Sequence, residues 1–413
     1  MKHREINKTT INSVATGLLG QFVTIFSGII VARSLGAEGR GYLALLFLFP
    51  ILITSIGTMG LPNAITYFVA KGQFTDKIFH TVFRKIIPVQ LLVLSIIHCF
   101  FMYFYLDGHD DIYYPAILTL ALTPMLLLQQ YCMAFIQGAN KFSLFNILRL
   151  LVPVLYTLLV LAIWLFDIAD LFVIVCMWLA ANLIASVLIY KEFIRISRNI
   201  RLSSIEGILI QDVLKFGVKG MFGAVTPLES FRLDHVLAAF FLTPAMLGIY
   251  VVGQAFSNVP NFISRSASMV AFPIISNKTK STGLVLIWKF FGVITLFNVL
   301  VSTFLVLILP YILPFLFGVE FKESVILGQI LIIGTMLSAS RRILVEGFRG
   351  VGLPHISTIA EISMYPWLLT GGIFLIVNYL EVGLAFAVAI SFGISLAVAI
   401  SYGLKANARV SNE

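Results

Sequence analysis

The amino-acid sequence predicts an all-α polytopic membrane protein. Of its 413 residues, 59% are hydrophobic and 11% are charged, whereas about a quarter of the residues in a soluble domain are charged. The mean hydropathy is +1.00. The hydrophobic residues also form long runs, and a helix needs roughly 20 of them to cross a hydrocarbon core about 30 Å thick. A water-soluble enzyme is therefore excluded.

The hydrophobic runs predict twelve transmembrane helices, which satisfy their own backbone hydrogen bonds in lipid. The first run is longer than a signal-peptide core of about 7 to 15 residues, so we interpret it as a retained membrane helix. The predicted spans cover residues 10–32, 42–66, 86–106, 114–136, 143–165, 170–190, 214–240, 246–274, 284–309, 323–340, 354–378 and 382–404.

Lysine and arginine are distributed unevenly over the segments between the spans. If the N-terminus is inside, the inner segments hold 21 of the 28, and the outer segments hold only Arg33, Arg40 and Lys322. The excess of positive charge on the inner side predicts that both termini are cytoplasmic. This asymmetry and contact with anionic lipids explain the net charge of +9 without a nucleic-acid partner.

Short sequence similarities recur in the two halves of the chain. Gly41-Tyr42 is similar to residues 248–250, and Gln137–Lys141 is similar to Arg349–Leu353. Six spans per half is an even number, so both halves enter the membrane from the same side and the repeat is parallel. We therefore predict two six-helix lobes around a central cavity. The predicted boundaries are 1–190 for the N-terminal lobe, 191–213 for a basic cytoplasmic linker and 214–413 for the C-terminal lobe.

Ionisable residues inside the spans are the best indication of a functional site. Each costs on the order of 2.5 to 3.5 kcal/mol at the centre of a membrane helix, so it needs a reason to be there. Four of them belong to the predicted seventh span, and Glu229 and Arg232 are near its midpoint. The seven residues of this kind that stand out are Arg149, Lys219, Glu229, Arg232, Asp234, Arg265 and Glu361.

These residues allow more than one interpretation. Glu229 and Arg232 are three residues apart, so they either neutralise each other locally or line a polar cavity. Asp234 lies on another side of the helix from Arg232 and needs a partner on a different span. Arg265 has no acid within four residues, which favours an interior position over snorkelling to the interface.

The remaining intramembrane charges lie nearer the ends of their spans. Arg149 and Lys219 either snorkel or line the cavity, and Glu361 can neutralise one of the cations. The predicted cavity cations and their partners are Arg232, Arg265, Glu229, Asp234, Lys219 and Arg149.

No metal or cofactor site is predicted. The six histidines form no metal-binding motif, and we interpret His98 as a hydrogen-bonded packing residue rather than a proton relay. Cys99, Cys132 and Cys176 lack the spacing of a metal or redox motif, which predicts three buried, reduced thiols. The sequence has no GxxxxGK[ST] loop for ATP.

Three stretches carry a family resemblance: ARSLGAEGRGYLAL at Ala32–Leu45, ESFRLDHVLAAF at Glu229–Phe240 with LGIY at Leu247–Tyr250, and GVGLP at Gly350–Pro354. Together they resemble the polysaccharide transporter family of the multidrug/oligosaccharidyl-lipid/polysaccharide exporter superfamily. The similarity covers nearly the whole chain. The nearest kind is the bacterial Wzx-type flippase, which moves undecaprenyl-pyrophosphate-linked oligosaccharide from the inner to the outer leaflet by alternating access.

The resemblance implies a transporter of the bacterial inner membrane, not an enzyme, that serves the assembly of O-antigen, capsule or exopolysaccharide. Arg232 and Arg265 fall where flippases of this superfamily tend to place cavity-lining cations, and arginine is suited to bidentate phosphate contact. For Arg33, the resemblance implies a structural or gating role. The implied partners are the lipid-linked oligosaccharide, membrane lipids, and the polysaccharide polymerase with its chain-length machinery.

Alternatives remain within and outside this family. Lipid II flippases have fourteen spans and an Arg-Asp pair where this chain has Ser27 and Gly28, which argues against a peptidoglycan precursor. Drug antiporters tend to have acidic residues in the N-terminal half, whereas the interior of spans one to six has no carboxylate. A cation-coupled drug antiporter is the first alternative. A membrane-embedded polymerase or glycosyltransferase is the second, although Asp110-Asp111 fits a solvated outer loop better than a catalytic motif.

Overall fold

The computed structural model describes residues 3–106, 112–199, 209–224, 228, 232–276 and 279–411. These residues form helices and turns, and no β-strand occurs among them. The predicted all-α fold class is confirmed. Helices are expected for so apolar a chain, because a helix leaves few backbone groups unpaired in lipid.

Eight helical segments of the described residues are long and apolar enough to cross a membrane. Two of them, Asn12–Gly57 and Pro354–Ala408, have 46 and 55 residues. Each is long enough to cross the membrane twice, because one crossing needs roughly 20 residues. They bend at Gly36 and at Leu380, where the sequence predicts a turn between two spans. The polytopic membrane class is thus confirmed. The count of twelve spans stays a prediction with which these helices are compatible.

The chain forms two compact units. Unit 1 consists of Met1–Leu35 and Tyr42–Val225, and unit 2 consists of Gly36–Gly41 and Thr226–Glu413. Residues 191–199, predicted to begin a linker, continue the last long helix of unit 1 instead. The reason is that Phe193 and Ile196 are buried in the hydrophobic core of that unit.

Unit 1 is built on an apolar and aromatic core. The ring of Phe135 packs within 5.2 Å of Phe193 and 6.0 Å of Phe83. Its helices are α1 (His3–Gly57), α2 (Leu61–Ala70), α3 (Asp76–Thr81) with the π-helical turn Val82–Ile86, α4 (Ile87–Leu106), α5 (Tyr113–Thr119), α6 (Leu122–Gly138), α7 (Phe142–Leu148), α8 (Leu151–Leu165), α9 (Leu171–Asn199) and α10 (Ile210–Ala224).

Unit 2 is organised around one long buried helix, α15, which packs against α13, α14 and α18. Its helices are α11 (Leu233–Phe241), α12 (Pro244–Gly253) with the 3-10 turn Gln254–Phe256, α13 (Val259–Ser276), α14 (Lys280–Phe317) with the 3-10 turn Val319–Glu323, α15 (Ser324–Gly350), α16 (Pro354–Ile362), α17 (Met364–Trp367) with the π-helical turn Leu368–Gly372, and α18 (Ile373–Ser411).

Several of the predicted spans are not single helices. The second is interrupted between Gly57 and Leu61, and the eighth is interrupted by the 3-10 turn after α12. The sequence predicts the seventh as one helix over 214–240, but α10 ends at Ala224 in unit 1 and α11 begins at Leu233 in unit 2. In membrane transporters, interrupted helices expose backbone and side-chain polar groups where ligands bind.

The sequence similarity between Gln137–Lys141 and Arg349–Leu353 corresponds to one turn that occurs in both units. In each, a helix ends just before a residue with positive φ, Asn140 (59°) or Gly352 (80°). The amide of Lys141 then donates to the carbonyl of Ile136, and the amide of Leu353 donates to that of Phe348. Glycine and asparagine favour this left-handed helix end, so the two segments share a structural reason for their similarity.

Gly60 lets α2 pack closely on α10 within unit 1. Its φ is +69°, and a Cβ atom there would lie 2.2 Å from the carbonyl oxygen of Gly217. Gly72 is a matched control, because its φ is +64° and nothing lies within 4 Å of its added Cβ atom. The two glycines therefore separate backbone strain from steric overlap.

We expect Gly60→Ala to lower the free energy of unfolding by about 2 to 4 kcal/mol, of which backbone strain accounts for about 1 kcal/mol and displacement of α10 for the rest. Gly72→Ala should lose only the strain component. Denaturant unfolding of the purified protein in detergent measures both. Equal losses for the two variants would show that the contact between α2 and α10 contributes nothing.

Candidate functional site

Unit 2 contains a partly open polar cavity of about 220 Å³. The cavity draws its charges from the start of α11 and from α13, and its apolar walls from α15 and α18. Its lining residues are Leu228, Arg232, Asp234, Gln254, Ser257, Asn258, Asn261, Arg265, Leu331, Thr335, Val388 and Phe392.

Arg232 immediately precedes α11 and has a left-handed backbone with φ 46° and ψ 45°. A non-glycine residue in this conformation is strained and persists only where its surroundings hold it. Its carbonyl accepts from the amides of His235 and Val236 and so starts the helix. The interpretation of Arg232 as part of a continuous helix is therefore wrong, because the backbone changes direction at this residue.

Asp234 is buried in the first turn of α11, with 5% of its surface exposed. Its Oδ2 atom accepts from the Gln254 side-chain amide at 2.7 Å and from the Tyr250 hydroxyl at 3.3 Å. The same oxygen lies 3.1 Å from Nδ1 of His235. The positive end of the helix dipole also favours a carboxylate here. Asp234 thus has its predicted partners on another span, because Tyr250 and Gln254 both lie in the predicted eighth span.

His235 links Asp234 to Arg232. The Nη2 atom of Arg232 lies 2.7 Å from Nε2 of His235 and 3.2 Å from Nδ1. The His235 side chain is nearly as buried as that of Asp234. A chain of contacts therefore runs from Gln254 through Asp234 and His235 to the guanidinium group at the cavity wall.

Arg265 brings a second guanidinium group to the same cavity from α13. Two arginines therefore face one cavity, whose described lining residues include one acid, Asp234. Hydroxyl and amide groups from Ser257, Asn258 and Thr335 complete the polar lining. Such a site can bind an anion by charge-assisted hydrogen bonds and hydroxyl-rich groups by neutral ones.

The other predicted site residues lie elsewhere. Glu229 falls outside the described residues. Lys219 is an exposed residue of α10 in unit 1. Arg149, at the end of α7, donates to the Ser13 carbonyl and to the Thr16 hydroxyl of α1, so its described contacts join two helices of unit 1.

Glu361 neutralises a cation, as the sequence suggests. The cation is Arg341, which the predicted topology assigns to a cytoplasmic segment. Arg341 Nη1 donates to Glu361 Oε1, and both residues are buried, with 2% and 7% exposure. The helix α15 continues through Arg341 to Gly350, beyond the predicted end of the tenth span at residue 340. An acid on α16 makes this buried arginine possible.

Two smaller predictions can also be compared with the structure. His98 is fully buried, and its Nδ1 atom lies 2.9 Å from the Thr123 hydroxyl, which confirms a hydrogen-bonded packing residue. The three cysteines are unpaired. However, only Cys132 is buried, and Cys99 is exposed on the apolar surface of α4, so the prediction of three buried thiols is wrong.

Comparison with known proteins places this architecture among transporters. The inward closed conformation of lipid II flippase MurJ has a TM-score of 0.73 and 14% identity, over 96% of this chain and 90% of that chain. An inward-facing multidrug resistance MATE family transporter of the MOP superfamily has a TM-score of 0.67 and 14% identity, over 95% of both chains.

The eukaryotic MATE transporter AtDTX14 has a TM-score of 0.65 and 13% identity, over 98% of this chain and 99% of that chain. At these identities the similarity establishes the fold alone. Comparison with curated protein sequences found no match. The family model described as "Polysaccharide biosynthesis protein" matches residues 7–278, which is more than half of the chain. The chain therefore belongs to the polysaccharide biosynthesis protein family and has the fold of MOP-superfamily transporters.

Proposed function

We propose that this protein is a flippase that moves undecaprenyl-pyrophosphate-linked oligosaccharide across the bacterial inner membrane by alternating access, for the assembly of surface polysaccharide. The observation that carries this proposal is the cavity of unit 2, whose described lining residues include two arginines, Arg232 and Arg265, and one acid, Asp234. Family membership supports a role in polysaccharide biosynthesis, and the fold supports transport rather than catalysis.

The chemistry of a pyrophosphate explains why a flippase needs such a cavity. A multiply charged headgroup loses its hydration when it leaves water, and the loss is offset only by paired cations and hydrogen-bond donors. Planar guanidinium groups contact phosphate oxygens in pairs. The neutral polar groups around them suit sugar hydroxyls, and the lipid tail is already stable in the bilayer.

The proposal has a direct test with three outcomes. Deletion of the gene should remove surface polysaccharide and leave lipid-linked repeat units on the cytoplasmic face of the membrane. If the protein is a membrane-embedded polymerase, its deletion should instead leave single repeat units exposed on the outer face. If the protein is a drug antiporter, its deletion should leave the polysaccharide intact and increase the sensitivity of the cells to cationic drugs. That outcome would refute the flippase function.

The proposed direction of transport requires a defined topology. We expect reporter fusions after Lys8, Arg198 and Lys405 all to report a cytoplasmic position, because basic residues collect in the segments that stay inside. Paired alkaline phosphatase and green fluorescent protein fusions measure this. A periplasmic signal at Arg198 would contradict the arrangement of six spans on each side of it.

A further inference from the structure

His235 lies between a carboxylate and a guanidinium group. Its Nδ1 atom is 3.1 Å from Oδ2 of Asp234, and its Nε2 atom is 2.7 Å from Nη2 of Arg232. Arginine can only donate, an ionised aspartate can only accept, and a neutral imidazole does one of each. The Nη2 atom of Arg232 is also 3.2 Å from Nδ1, so the guanidinium group lies against the imidazole ring, and Nδ1–H of the neutral ring donates to Asp234.

The surroundings of His235 contain several other charged or titratable groups. Tyr250 of α12 packs its ring 6.0 Å from the imidazole, Arg40 of the Gly36–Gly41 segment acts on it electrostatically, and Arg265 of α13 lines the adjoining cavity. From α18, which packs against α11, the cavity receives Val388 and Phe392, and these do not ionise. Asp234 is thus the acid in direct contact with His235.

We propose that His235 is a positioning residue for Arg232, and that protonation of His235 at Nε2 releases Arg232 toward an anion in the cavity. The proton comes from solution and binds to the lone pair of Nε2, which gives the ring in contact with Arg232 a positive charge. Imidazolium and guanidinium then repel each other at short range, while Nδ1–H remains bound to Asp234. This inference rests on the proposed function, in which the anion is a pyrophosphate.

The backbone of Arg232 fits this role. Its left-handed conformation stores strain that the contact with His235 helps to retain. When the contact is lost, the guanidinium group moves at the edge of the cavity without rearrangement of the α11 core. By linkage, an anion that attracts Arg232 also favours proton uptake by His235, so anion binding and proton binding support each other.

The test compares wild type with two histidine-to-glutamine variants. His235→Gln keeps a donor for Asp234 and an acceptor for Arg232 but cannot be protonated. His98→Gln is the matched control, because His98 is a buried histidine of unit 1 bound to Thr123. Inorganic pyrophosphate is titrated into each purified protein in detergent at about pH 5 and about pH 8, a range that extends well below the ordinary pKa of histidine.

We expect the affinity of wild type to increase on acidification about tenfold more than that of His235→Gln. The protonation of pyrophosphate itself changes with pH in the same way in every sample. The pH dependence of its affinity is therefore compared between proteins. His98→Gln should behave as wild type. Calorimetry in buffers of different ionisation enthalpy should show that wild type takes up more protons per anion than His235→Gln, by about a third of a proton averaged over these three pH units.

The outcomes separate this inference from the proposed function. If His235→Gln does not fold, Arg232→Gln replaces it, since removal of the released group should also abolish the extra pH dependence while Arg265 still binds weakly. Equal pH dependence and equal proton uptake in wild type and either variant would overturn the positioning role. If wild type binds no pyrophosphate at either pH, the anion site of the proposed function is itself refuted.

Discussion

We expect Arg232→Gln and Arg265→Gln each to abolish surface polysaccharide when they are supplied to a strain that lacks this protein. Each variant removes a charge-assisted contact to a desolvated anion, a loss of about 2 to 4 kcal/mol. That corresponds to a roughly 30- to 900-fold weaker interaction. Both residues line the same cavity, so neither can fully substitute for the other. Complementation is scored by polysaccharide staining at matched membrane abundance.

Conservative variants and a distant control make this test specific. Lysine at either position should restore only part of the function, because it keeps the charge but lacks the planar fork. Arg195→Gln is the control, since the Arg195 side chain is 70% exposed and pairs with the nearby Glu192. It should complement as wild type does. Full activity of both cavity variants would remove the arginines from substrate binding.

Much of this architecture could be predicted because the bilayer imposes simple rules. The length of apolar runs and the cost of unpaired backbone in lipid are sufficient for the all-α membrane fold. The same cost applied to side chains singles out Arg232, Asp234 and Arg265 as residues that need a polar environment inside the membrane. The cavity of unit 2 brings these three residues together.

What could not be predicted depends on contacts between distant residues. His235 is one of six scattered histidines, and the histidines as a group form no motif. The feature that could have identified it is its position next to Asp234 inside an apolar span. Its role emerges only when Gln254 and Arg232 are placed around Asp234. Hydropathy likewise treats the seventh span as continuous, because the backbone turn at Arg232 leaves no trace in average composition.

The contact that Arg341 makes likewise could not be predicted from the sequence. An arginine after an apolar run normally marks the cytoplasmic end of a span, so two adjacent arginines predict that the span ends before them. Instead Arg341 is buried within α15 and contacts Glu361 of α16. The partner is 20 residues away, beyond the reach of any helical spacing rule, so only the fold could reveal the pair.

The Arg341–Glu361 pair supports the second large effect that we expect. Arg341→Met should lower the free energy of unfolding by about 3 to 5 kcal/mol, because it leaves the Glu361 carboxylate buried without its cation. Glu361→Leu should cost a similar amount. Denaturant unfolding in detergent measures each loss. The Arg195–Glu192 pair, in which the arginine is 70% exposed, is the control, and breaking it should cost about 0 to 1 kcal/mol.

The double variant Arg341→Met with Glu361→Leu decides between two explanations of these losses. If each single variant is unstable because it strands a buried charge, the double variant should recover most of the stability, since two apolar side chains of similar size need no partners. If the losses come from disturbed packing between α15 and α16, the two effects should add. Additive losses would contradict the ion-pair explanation. Recovery, by contrast, would show that this buried pair is not required for the stability of unit 2 and can be examined for a role in transport.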